Sequence, residues 1–97
     1  MAEYRLSATA VRDIDGIFDH TAQQWGQEQA VRYTVALRDA CQVLANAPKT
    51  KGRDCDHIRP GYRWFMVEHH IIYFRPANYG AAIIRILHER MDTARHL

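Results

Sequence analysis

Arginine and histidine crowd the second half of this 97-residue chain. Arg59, Arg63, Arg75, Arg85 and Arg90 lie on or beside short runs of β-branched and aromatic residues, with His57, His69, His70 and His88 between them. Guanidinium groups hold carboxylates or phosphates, and a sheet that needed only a core would not carry so many. Residues 1–46 have four Arg against six Asp and Glu, net −2, whereas residues 47–97 have nine Lys and Arg against five acids, net +4. That imbalance points to an acidic partner for the second half, protein or nucleic acid, without choosing between them.

Other chemistries have weaker support. His69-His70, with Cys55-Asp56-His57 nearby in sequence, lacks the flanking spacing of a metal site, and adjacent histidines in a hairpin turn are usually solvated. No metal and no cofactor is expected. Cys41 reads as a small apolar residue on a helix, in no neighbourhood that the sequence marks as stabilising a thiolate, and Cys55 as a loop residue, both free thiols.

The elements that must position the cations follow from spacing. Residues 58–92 contain three strand-like runs, at 62–67, 71–75 and 81–87, separated by two turn-like clusters, which predicts an antiparallel meander. Both of its faces are partly apolar, so one must meet a helical layer and the other the chain's tail or a partner. Glu3 to Ser7 alternates and reads as a first strand at an edge or joining the meander. Ser7 stands where a helix N-cap belongs, and Val11, Ile14, Phe18, Ala22 and Trp25 make one helical face. Gly26 can supply the left-handed residue that ends this helix. Ala30, Tyr33, Leu37, Cys41 and Leu44 repeat the spacing until Pro48 stops it, so the two helices form an antiparallel hairpin. Residues 49–57 read as a polar surface loop, and residues 90–97 as one helical turn or an extended tail.

Hydrophobic residues make up 47% and charged residues 25% of the chain, the balance of an ordered domain, and its length suits one domain over residues 1–97. No apolar run approaches the roughly 20 residues of a membrane span, and the start lacks the pattern of a signal peptide, so the chain reads as cytoplasmic.

The order strand, helix, helix, loop, three strands, together with Trp25-Gly26, the segment Ile58-Arg59-Pro60-Gly61-Tyr62-Arg63 and the ending Arg85-Ile86-Leu87-His88-Glu89-Arg90-Met91-Asp92, resembles the ParE toxins of the RelE/ParE superfamily. The resemblance covers essentially the whole chain. It implies an α+β fold in which a two-helix hairpin packs on an antiparallel sheet. It also implies a toxin of a type II toxin–antitoxin system that inhibits DNA gyrase by binding, without catalytic residues. A ParD-type antitoxin would silence it in a hetero-oligomer and would be its only link to operator DNA. On this reading the basic sheet and the tail make the target contact, through Arg59, Arg63, Arg85, His88, Arg90 and Met91. The structural alternative for Arg59, Arg63 and Arg85 is pairing with acids such as Asp54, Asp56 or Glu68. Trp25 reads first as a seam residue of the hairpin; with Tyr33 and Leu37 it is also a candidate for antitoxin contact.

The superfamily contains ribosome-dependent messenger RNA endoribonucleases of the RelE type, the alternative function. Attack by a ribose 2′-hydroxyl needs a base, an acid and cations on the phosphate. Arg63, Arg85, Lys49, Lys51 and His88 are the residues available for those posts. No tyrosine follows Tyr79, however, whereas the nuclease branch often has one near its end.

Overall fold

The computed structural model describes residues 2–97. Eight elements follow in chain order: β1 (Glu3–Leu6), α1 (Ala8–Trp25), α2 (Gln27–Asn46), β2 (Arg53–Asp54), β3 (Arg63–Val67), β4 (His70–Ala77), β5 (Gly80–His88) and α3 (Thr93–His96). The strands form one sheet in the order β1-β5-β4-β3-β2. Strands β2 to β5 pair antiparallel, β3 to β5 as the meander pattern predicts, while β1 joins the outer side of β5 in parallel.

Local chemistry explains the joints. Ser7 alone separates β1 from α1, its Oγ accepting the Ala10 amide at 3.0 Å as an N-cap and donating to the Ile84 carbonyl at 2.7 Å. Ile84 is the extra residue of a β-bulge, since Tyr73 pairs with Arg85 and Phe74 with Ile83. The bulge resets the alternation of β5, so Ile83 and Ile86 both pack in the helix-side core. Strict alternation, the expectation from sequence, sets them on opposite faces. Gly26, at φ 94°, is the single residue linking α1 to α2. Gly80, at φ 142°, lets β1 close on β5, because a Cβ there would lie 2.1 Å from the Glu3 carbonyl oxygen.

The main core lies between the hairpin and the sheet. Leu37, Cys41 and Leu44 of α2 meet Ile72, Phe74 and Ile83, all of them fully buried, and full burial of each large aliphatic or aromatic side chain contributes roughly 1.5–3 kcal/mol. The α2 spacing is therefore read correctly. On α1 the buried stripe is Ala10 and Ile14 with Ile17 beside them, whereas Val11 and Trp25 are exposed.

The far face of the sheet has a second, smaller core of Cys55, Tyr73 and Leu87, flanked by Tyr62, Trp64, Ile71 and Leu97. The tail thus supplies part of the cover that the apolar far face requires. It is tied down by a hydrogen bond between the Tyr73 and Thr93 hydroxyls and by Arg85 donating to the His96 carbonyl at 3.1 Å. The stretch 49–57, expected to be loop throughout, contains β2 and the buried Cys55, whose amide donates to the Tyr62 carbonyl.

Candidate functional site

An open groove of about 1020 Å³ runs between the tip of the hairpin and the end of the sheet where β3 turns into β4. Trp25, at the end of α1, and Tyr33, early in α2, form one wall; His69, His70, His88 and Met91 form the other. The turn Glu68-His69 is two residues long, and Glu68 takes φ 54°, a left-handed conformation costing roughly 1–2 kcal/mol for a residue with a Cβ. Contacts with the end of β5 hold the turn in place. The His69 carbonyl accepts the Glu89 amide at 2.8 Å, and His69 Nδ1 meets Glu89 Oε2 at 2.7 Å.

Inside the groove the polar groups answer one another. The Tyr33 hydroxyl and His70 Nδ1 lie 2.6 Å apart, and the His70 ring makes edge contacts with Tyr33 and His88 at centroid separations of 5.4 and 5.3 Å. Burial, followed by the neighbouring His88 and His69, pushes the His70 imidazole down to about 4, so it is neutral at physiological pH. Burial also raises the Tyr33 phenol, and the hydrogen bond from His69 holds Glu89 below the usual carboxylate range.

Arg85 has an internal place at the rim. Strand β1 ends at Leu6, which leaves the outer edge of β5 open beyond Ile83; Asp13 of α1 covers the gap, accepting the Ile86 amide at 2.9 Å and the Arg85 guanidinium through both oxygens at 2.9 and 3.0 Å. Both side chains are largely buried. Arg85 was expected to be a target contact; instead it joins α1, β5 and the tail, with a partner 72 residues away that no local pattern reveals.

The remaining candidates divide. Arg63 donates to the carbonyls of Lys51 and Gly52 at 3.0–3.2 Å, so it secures the stretch leading into β2. Arg59 is exposed over the Tyr62 ring, far along the sheet from the groove. Arg90 is exposed just after β5, its amide donating to His88 Nδ1 at 3.1 Å. Leu37, expected at an antitoxin interface, has 0% exposure and belongs to the core, because its position on α2 faces the sheet. Trp25 is 76% exposed, which removes it from the hairpin seam and makes it the most prominent apolar side chain on the groove wall; Met91 is 44% exposed. Trp25, Tyr33, His88 and Met91 therefore share one site, although the sequence reading divides them between two partners. His20 and His70 complete it and were missed: nothing local signals that a helix and a turn will face each other.

Among the described residues no group of three or more His, Cys, Asp or Glu is placed to hold a metal. Cys41 is buried and its thiol is pushed up to about 12 by burial, too high to supply a thiolate.

Comparison with known proteins gives the lineage. Residues 4–93 match the family model of the ParE toxin of type II toxin–antitoxin system, parDE. The chain belongs to the ParE toxin family. Toxin ParE1 of Mycobacterium tuberculosis (strain H37Rv) is 38% identical over 97 residues, covering 99% of this chain and 98% of that protein. Toxin ParE1 of Caulobacter vibrioides is 35% identical, covering 100% and 99%, and Toxin ParE of Escherichia coli is 37% identical over 93 residues, covering 95% and 89%. A solved structure described as the chromosomal ParDE TA system from P. aeruginosa superposes with a TM-score of 0.78 at 25% identity, covering 91% of this chain and 96% of that one. The chain is thus a ParE-type toxin of a type II toxin–antitoxin system, with the ParE fold.

Proposed function

We propose that this toxin arrests growth by binding DNA gyrase and trapping it on cleaved DNA, and that a ParD-type antitoxin silences it in the cytoplasm by occupying the groove. The observation that carries the reading is the groove itself: exposed Trp25 and Met91 flank a wall of mutually satisfied polar groups, a surface built to receive an amphipathic segment. Gyrase inhibition is inferred from family membership. Operator DNA is reached only through the antitoxin's own DNA-binding part.

Action by binding fits the commitments of the cations. Of the residues available for RNA cleavage, Arg85 is held by Asp13, and Lys49, Lys51 and Arg63 lie toward the opposite end of the sheet from His88, so cations and a candidate acid or base do not converge. A supercoiling assay with purified gyrase, run beside a ribosome-coupled messenger RNA cleavage assay, tests the proposal. Loss of supercoiling with intact message is the expected result; cleaved message with normal supercoiling would overturn it.

A further inference from the structure

At the end of the sheet opposite the groove, cations gather without carboxylate partners. Between Ala47 and Arg63 the chain carries five Lys and Arg against two acids, Asp54 and Asp56, and pairing of β3 with β4 brings Arg75 beside them. Lys49, Lys51, Arg53, Arg59 and Arg75 are all exposed, and among the described residues none of them forms an ion pair. The two acids are oriented by the backbone and keep their charge: Asp54 accepts the Asp56 amide at 3.4 Å and Asp56 accepts the Gly61 amide at 2.9 Å. Arg63 fixes the stretch by donating to neutral carbonyls, which orders Lys51 and Gly52 without cancelling any charge. Six cations against two carboxylates leave this ordered edge with a net positive charge that attracts an anionic partner.

We propose that this corner is a site for the phosphate backbone of double-stranded DNA, contacted by the toxin directly and without regard to base sequence. Duplex is favoured over single strands because the aromatic side chains present are already used. Tyr62 lies beneath Arg59 and packs with Trp64 against the Cys55–Tyr73–Leu87 cluster, so neither ring is free as a stacking platform for unpaired bases. Among the described residues the elements at the corner are the two-residue strand β2 and the ends of β3 and β4, with no helix to enter a groove, which favours backbone contact as the mode of binding. The site lies about 23 Å from the histidines, the length of β4, so a partner in the groove and DNA at the corner can be held together. The proposal goes beyond the gyrase reading and does not depend on it, because binding is measured with neither gyrase nor antitoxin present.

The test is fluorescence anisotropy of the purified full-length toxin with a labelled duplex of about 20 base pairs across a potassium chloride series. Binding is expected at about 50 mM salt and weakens with a log–log slope of about −3 to −4.5, as three to five phosphate contacts require. The variant Lys49→Gln/Lys51→Gln/Arg59→Gln is expected to bind at least about tenfold more weakly with a shallower slope, at an unchanged melting temperature. If that triple variant is unfolded, Arg59→Gln alone weakens binding and Arg59→Lys restores it. Absence of duplex binding by the unaltered toxin, or a slope unmoved by the substitutions, overturns the proposal. So does tighter binding of a single strand of the same length, which would assign the corner to stacking. Loss of gyrase binding in the variants with duplex binding unchanged would assign it to an acidic protein surface instead.

Discussion

The two ends of the sheet carry similar side chains and treat them differently. At the groove end, Arg85 has Asp13, His69 has Glu89 and His70 has Tyr33, three pairs that each join distant parts of the chain. At the far end, Lys49, Lys51, Arg53, Arg59 and Arg75 meet no carboxylate among the described residues. Residue type alone therefore does not separate structural from functional arginines. Whether the structure already answers the charge does: an arginine with an internal partner is costly to remove, and one without is available to something else.

The sharpest way to break this contrast is at Asp13. Asp13→Ala leaves Arg85 without its carboxylate and the Ile86 amide without an acceptor, and is expected to cost about 3 kcal/mol in urea unfolding. A loss below about 1 kcal/mol would mean that the groove end is not self-satisfied in the way described. Trp25→Ala tests the apolar wall: antitoxin affinity measured by calorimetry is expected to fall by about 2 kcal/mol, while stability changes by no more than about 0.5 kcal/mol.

A graded effect should come from His70. Above pH 6.5 its imidazole is neutral in both folded and unfolded chains; from there down to about 4 the unfolded chain takes up the proton first. Stability is therefore expected to fall as pH drops through that window and to level off below it. The slope should be shallower in His70→Asn, as read by melting temperature across the pH range, and an identical slope in both proteins would contradict the buried neutral imidazole. Smallest of all is the effect on folding of Arg59→Gln, expected to stay within about 0.5 kcal/mol because the side chain is exposed and unpaired.

Much of the architecture was legible because it is local. The α2 spacing Ala30, Leu37, Cys41 and Leu44, the Ser7 cap, the Gly26 joint and the three-stranded meander all follow from periodicity and turn chemistry. The face of α1 was not legible, since Val11–Ile14–Phe18 and Ala10–Ile14–Ile17 have equally good helical spacing, and the larger residues suggest the wrong one. The Ile84 bulge was hidden because an extra residue in a strand leaves no mark in an apolar run. At the groove, Trp25, Tyr33, His88 and Met91 were each singled out, but their union depends on how the hairpin tip sits against the β3–β4 turn. The partners of Arg85 and Arg63 are tertiary facts of the same kind.

The central claim, that this ParE-family toxin acts by holding gyrase on cleaved DNA, is tested most directly by incubating supercoiled plasmid with purified gyrase and toxin, stopping with detergent and protease, and measuring linear DNA. Linear product that rises with toxin and disappears when antitoxin is added is the expected result. Plasmid that stays intact and normally supercoiled, at toxin concentrations that stop growth, would contradict it.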